Sequence, residues 1–330
     1  MHSTTRVEPI AARTRFGVAA LLRQQDTALL LVLLLLVVAF SLASPYFFSA
    51  RNLSNVLLSA SIIGTMSAVA TLVVVSGALD LSIGSIVALT SVSAALLSYD
   101  LQWPPGLAIA AALVIGALAG AFNGILVTVL RINPIIATIG TLSVFRGLAF
   151  VITNGRDIPV LDPISDYLGF ERIVGIPVSV IVMILVFIAT WWVAKYTPWG
   201  RNVYATGANP RAARLAGVGV GGIRMGVLIA SGLVAALAGV LLNGQAGSAT
   251  PGAGVGYELQ VLTAVLLGGA SLTGGEGRVT RTFIGVLIIS VINNGMTLLS
   301  VPSYYQTIAN GALLLVAVAI DQFRTKAGYR

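Results

Sequence analysis

Apolar runs free of charge recur along most of this chain, and no other feature constrains its fold as strongly. A hydrocarbon core about 30 Å thick takes roughly 20 helical residues to cross, and backbone at that depth must satisfy its own hydrogen bonds. Divided at their Gly, Pro and Asn punctuation, the runs predict ten spans near residues 28–44, 57–76, 81–98, 107–130, 135–153, 174–194, 225–243, 259–272, 282–299 and 304–320. The third, eighth and tenth are short enough to be tilted, partial or broken. The expected fold class is an all-α integral membrane protein of about ten transmembrane helices, in one transmembrane domain over residues 1–330.

Composition excludes several chemistries. Only 9% of the residues are charged, against roughly 25% in an average soluble domain. The chain has no cysteine, which removes disulfides, thiolate nucleophiles and thiolate metal sites. Its one histidine is His2, in a polar tail, so histidine proton relays, zinc motifs of the HExxH kind and a Ser/His/Asp arrangement are excluded. An intramembrane protease of the serine or zinc type is therefore not expected, and neither is a metal site.

Lys and Arg then orient the spans. With a cytoplasmic N-terminus and one crossing per span, inner segments hold fifteen basic residues and outer segments three, Arg51, Arg156 and Arg172, with Arg146 left inside a span. This places the tail 1–27, the loop 195–224 and the tail 321–330 in the cytoplasm. No small-residue cleavage site follows the first apolar run, so the tail and first span are read as retained. The outer loop 154–173 is acidic and reads as a solvated face. The net charge of +8 lies along one membrane side, which argues against nucleic acid as a partner.

A weak but ordered internal repeat points to transport. "FNGILVTVLRINPIIATIG" (Phe122 to Gly140) and "NNGMTLLSVPSYYQTIANG" (Asn293 to Gly311) share Asn-Gly, a proline and Thr-Ile in the same order. The copies are offset by five spans, an odd number, which makes the repeat inverted, with spans 2–5 matching 7–10. Many transporters are built this way, with substrate passing near the axis between the halves.

The longest inner loop, Lys195 to Arg224, carries five basic residues and no acid. Asn209 reads as a helix N-cap, Pro210 as the first helical residue, Arg211 to Ala216 as a short amphipathic turn and Gly217 as its end. Such a helix rests on lipid headgroups or docks into a groove on a cytoplasmic partner. Ala205, Ala212, Ala213, Leu215 and Ala216 are mostly small, whereas lipid-surface helices show large apolar faces, so docking is favoured.

Four co-linear motifs, "GALDLSIGSIVAL", "INPIIATIGTLSVFRGLAFVITNG", "TPWGRNVYATGANPRAARLAGV" and "VLLGGASLTGGEG", resemble the permease subunits of ribose-type bacterial ABC importers, allied to branched-chain amino-acid permeases. The resemblance runs from residue 30 to 320, and Ala78 stands where that family often has glycine. It implies a dimer of permeases, identical or related, in the bacterial inner membrane. It also implies a cytoplasmic ATPase with two nucleotide-binding cassettes holding ATP and Mg, and an extracytoplasmic sugar-binding protein. Thr197 to Val218 would press on the ATPase, with Gly200, Arg201, Ala205, Gly207, Asn209, Pro210, Ala212, Ala213, Leu215 and Gly217 as coupling residues. The sequence agrees on one independent point: it lacks GxxxxGK[ST], and neither Lys195 nor Lys326 follows a glycine, so nucleotide phosphates are not cradled here in that way.

Asp80 is the carboxylate to explain. It either caps the third span, accepting from the amides of residues 82 and 83, or lines the path with Ser82 as part of a broken helix. Asn123, Asn293 and Asn294 suit a polyol by donating and accepting, or bind neighbouring helices. Arg146 is expected to snorkel outward or to pair with Glu258. The expected function is inward translocation of a monosaccharide or similar solute by a non-catalytic subunit. The alternative is an ion-coupled carrier working alone, which would need Asp80 or Glu258 to carry the ion.

Overall fold

The computed structural model describes residues 25–328. The expected N-terminal tail, with Arg6, Arg13, Arg15 and Arg23, lies almost entirely outside the described residues. The described residues form thirteen α-helices: α1 (Gln25–Ala43), α2 (Ala50–Val75), α3 (Ile83–Ala95), α4 (Pro105–Thr128), α5 (Pro134–Thr153), α6 (Pro163–Phe170), α7 (Val178–Tyr196), α8 (Pro198–Ala208), α9 (Pro210–Leu215), α10 (Val220–Ala246), α11 (Tyr257–Leu267), α12 (Val279–Leu298) and α13 (Ser303–Gly328). Proline occupies the first turn of α4, α5, α6, α8 and α9, where its missing N–H costs nothing.

Among the described residues nine helices are long and apolar enough to cross a membrane, counting α3 with the π turn Leu96–Asp100 that extends it. The predicted eighth span is the exception. Its helix, α11, has 11 residues, about 16 Å of rise. The preceding "GSATPGAGVG" cannot be helical, because Pro251 breaks the ladder and Gly247, Gly254 and Gly256 take positive φ. The tenth predicted span, expected to be short, belongs to a 26-residue helix.

The two halves follow one plan. α2 (26 residues) ends at Gly77 in left-handed conformation and is followed by the short α3 (13 residues). α10 (27 residues) ends at Gly247, also left-handed, and is followed by α11 (11 residues). Two long helices close each half, α4 with α5 and α12 with α13. α4 and α10 pack through small residues: a Cβ on Gly232 would lie 2.0 Å from the Gly116 carbonyl oxygen, and one on Gly120 would lie 2.2 Å from that of Leu228. Backbones this close are how helices associate where lipid supplies no hydrophobic drive.

α2 is central and buried over most of its length. Several of its buried hydroxyls are satisfied within the helix, Ser67 donating to the Ile63 carbonyl and Thr71 to that of Ser67, whereas the Oγ of buried Ser54 has no partner. At one end of the bundle the C-terminus of α2 meets α8 and the loop 268–278: the Gly275 amide donates to the Val75 carbonyl at 2.8 Å and the Tyr204 hydroxyl to that of Gly277 at 2.9 Å. The opposite end is more ordered than a plain solvated loop. There β1 (Ile158–Pro159) pairs antiparallel with β4 (Ser248–Ala249), β2 (Arg172–Ile173) pairs with β3 (Ile176–Pro177), and α6 packs on α10 with Gly169 against Gly244. The sequence hid this because strands of two residues leave no periodicity.

Candidate functional site

Asp80 sits in the turn between α2 and α3 and ties four segments together. Its Oδ1 accepts from the Ser82 amide at 3.0 Å and the Ser82 hydroxyl at 2.6 Å, and its Oδ2 accepts from the Ser231 hydroxyl of α10 at 2.7 Å. Asn123 of α4 donates from Nδ2 to the Ser82 Oγ at 2.7 Å. The amide of residue 83 is not a partner of Asp80; Ser82 is the N-cap of α3 and makes no side-chain cap bond. A carboxylate in so apolar a bundle is tolerable because three donors converge on it. A cavity of about 20 Å³ beside it also touches Glu258, room for about one water.

Arg146 neither snorkels nor forms an ion pair with Glu258. From α5 it donates through Nη1 to the carbonyls of Pro251, at 2.9 Å, and Ala253, and through Nη2 to that of Gly84 at 3.4 Å. The non-helical segment before α11 exposes carbonyls with no intrahelical partner, and a fork of fixed donors suits them. At that crossing a Cβ on Gly84 would stand 2.3 Å from the Gly254 carbonyl oxygen. The half-helices α3 and α11 thus begin against each other, with Arg146 stapling the joint.

The second polar feature is a cavity of about 670 Å³ between α2, α10, α11, α12 and α13. Its amides are Asn55, Gln245, Gln260, Asn293, Asn294, Gln306 and Asn310, and Ser59, Ser290, Thr297, Ser303, Thr307 and Tyr257 add hydroxyls; among the described residues no charged side chain lines it. Asn293 donates to Gln260 Oε1 at 3.4 Å while its buried Oδ1 has no partner. Asn294 is bound to Asn52 of α2 by a reciprocal pair of 2.9 and 3.0 Å, so it holds helices together at the cavity wall. The structure therefore separates the five path candidates: Asp80, Ser82 and Asn123 form one cluster, Asn293 and Asn294 the edge of another. Sequence reasoning missed Gln245, Gln260 and Gln306; isolated glutamines, one just beyond the seventh expected span and one each inside the eighth and tenth, are the available signal.

The connection between α7 and α10 contains two helices rather than one. Thr197 caps α8, accepting from the Gly200 amide at 3.0 Å, and "TPWG" carried that signal. Asn209 caps α9, accepting from the amides of Arg211 at 3.1 Å and Ala212 at 3.0 Å, and Gly217 beyond it has a φ of +84°. Gly200, Gly207 and Ala213 are buried and face the chain's own bundle. Arg201, Ala205, Asn209, Ala212, Leu215 and Gly217 are exposed, Leu215 to 91%, and Pro210 is partly so. Burial pushes the Tyr204 phenol above its ordinary range, which keeps it a donor to Gly277.

Comparison with known proteins agrees with this architecture. The family described as branched-chain amino acid transport system / permease component matches residues 52–318. The chain is 40% identical over 290 residues to the ribose import permease protein RbsC of Haemophilus influenzae, covering 86% of this chain and 88% of that one. It is 37% identical over 313 residues to the L-arabinose ABC transporter permease protein AraH of Azospirillum brasilense (95% and 91%). It is 36% identical over 288 residues to the fructose import permease protein FrcC of Rhizobium meliloti (85% and 80%). No solved structure matches the chain.

Proposed function

The chain belongs to the branched-chain amino acid transport system permease component family, and from that premise we propose that it is the non-catalytic, membrane-spanning subunit of an ATP-driven importer for a monosaccharide or related polyol. The cavity of about 670 Å³ carries this reading. Its volume falls in the range of small-molecule sites, about 300–1,000 Å³. A neutral polyol needs many donors and acceptors and no ion pair, and seven amides with several hydroxyls and no charge supply that. An amino acid would present a carboxylate and an ammonium, for which this cavity has no counter-charge. Weak, distributed hydrogen bonds also let cargo leave.

Replacing Asn293 and Gln260 together with leucine is expected to lower sugar uptake about tenfold or more, since the site is left with fewer partners for buried hydroxyls, as when a polar pocket meets the wrong group. Membrane level and association with the ATPase should stay unchanged. Uptake at the wild-type rate in that variant contradicts the assignment.

On the same reading, the basic end of the bundle faces the cytoplasm, as the distribution of fifteen against three basic residues requires. ATP and Mg are bound by a separate ATPase, and a second permease and an extracytoplasmic binding protein complete the assembly. The exposed residues of α8 and α9 meet the ATPase, while Gly200, Gly207 and Ala213 anchor the element to the bundle. Leu215→Asp places a charge at the most exposed apolar position of that surface. It is expected to weaken ATPase association at least tenfold without lowering the permease's melting temperature. Unchanged co-purification would remove α9 from the contact. Asp80 has three donors on its carboxylate, which favours an anchor for the α3 turn over an ion carrier.

A further inference from the structure

We propose that the chain holds an anionic phospholipid at the α8 end of the bundle, its phosphate between Lys195 and Arg278 and an acyl chain along Phe187, Ile188 and Phe283. A cavity of about 550 Å³ lies between the last turn of α7, the first turn of α12 and α8; its polar members are Lys195, Tyr204, Arg278 and Thr280, and among the described residues no acid lines it. A second, apolar cavity of about 210 Å³ is lined by Phe187, Ile188, Trp191, Val279, Thr280 and Phe283. Trp191, Val279 and Thr280 belong to both, so the two adjoin as one groove that is cationic at the α8 end and oily further into the bundle.

The cationic end is built and not merely crowded. Lys195 Nζ stands 5.2 Å over the Trp191 ring and 5.1 Å over that of Tyr196, which holds the ammonium near the cavity. Among the described residues Arg278 forms one ion pair, with Asp26 at 3.8 Å from Nη1, and that carboxylate is bonded more closely to Arg281. With its side chain 65% exposed, Arg278 keeps donors for a further anion. The aromatic layer of Trp191, Tyr196 and Tyr204 is what a headgroup region attracts.

The apolar continuation selects the occupant. A soluble phosphate or nucleotide would use the cations and leave the groove of Phe187 and Phe283 empty, whereas a phospholipid fills both, and basic pockets between transmembrane helices take anionic headgroups. Tyr204 belongs to α8, so the headgroup would rest against the element proposed to meet the ATPase. The inference requires a bilayer around the chain but no particular solute.

The test uses the full-length chain, delipidated in detergent and titrated with phosphatidylglycerol or phosphatidylcholine of equal chain length, with occupancy read by native mass spectrometry. Two basic residues at a headgroup predict a preference for phosphatidylglycerol of roughly thirtyfold. Lys195→Gln with Arg278→Gln should reduce that preference to a few-fold or less, and Lys195→Arg should retain it. Glycerol phosphate, which shares the phosphate but lacks acyl chains, should fail to displace the lipid. Equal retention of the two lipids by the wild type, full preference in a well-folded double variant, or displacement by glycerol phosphate at matching concentration each overturns the proposal. The wild-type comparison needs no variant, so it remains decisive if the double variant does not fold.

Discussion

Gly207→Ala is expected to cost the protein roughly 3 kcal/mol or more of stability and to abolish coupled ATP hydrolysis, because the new methyl would be driven into fixed backbone. A Cβ at Gly207 would stand 1.8 Å from the Val75 carbonyl oxygen and 2.5 Å from the Gly275 amide nitrogen, and these two groups are bonded to each other at 2.8 Å. No side-chain rotation relieves such a clash. Either the bond between the end of α2 and the loop 268–278 breaks, or α8 lifts from its seat. Either outcome loosens the seat of α8, the element proposed to face the ATPase, against the central helix. The measurement is the melting temperature in detergent together with sugar-stimulated ATPase activity in the assembled complex. A variant with wild-type melting temperature and wild-type stimulation would show that α8 is not seated as described.

Asp80→Ala is expected to be the most damaging single change within the bundle, and Asp80→Asn a mild one. Alanine deletes the acceptors of three hydrogen bonds, leaving the Ser82 and Ser231 hydroxyls without their partner in a region where water is scarce. Each buried polar group stranded in this way costs about 1–3 kcal/mol, so the folded level should fall severely. Asparagine keeps an acceptor for Ser82 and turns its amide toward Ser231, whose oxygen can accept instead. If hydrogen bonding is what matters, the asparagine variant folds and transports. If uptake is lost in the asparagine variant while the folded level is retained, the charge itself has a transport role.

What could be read from the sequence, and what could not, follows from how each feature is encoded. Span positions were readable because burial in lipid imposes long apolar runs, and nine of the ten expected spans are helices of crossing length. The eighth span, expected to be tilted, partial or broken, is the short α11, and the "GSATPGAGVG" before it marks broken backbone by composition but gives no hint that Arg146 satisfies its carbonyls. For Arg146 the sequence offers snorkelling or a pair with Glu258, and only the fold places the carbonyls of Pro251 and Ala253 within reach. Helix α9 was found by its Asn-Pro cap, whereas α8 was missed although Thr197-Pro198 is the same kind of start. The amide-lined cavity was the least visible feature. Its residues come from five helices distant in sequence, and each Asn or Gln alone resembles helix-packing glue, as Asn294 proves to be.

Two proposed features carry transport: a cavity that would hydrogen-bond a neutral polyol, and a surface, α8 with α9, through which another subunit would drive the bundle. The most direct test reconstitutes the full-length chain into vesicles with and without its ATPase and binding protein and follows labelled sugar across the membrane. Accumulation that requires ATP, the ATPase and the binding protein, and that is lost with Leu215→Asp, is the predicted result. Accumulation by this chain alone under a proton or sodium gradient would contradict it.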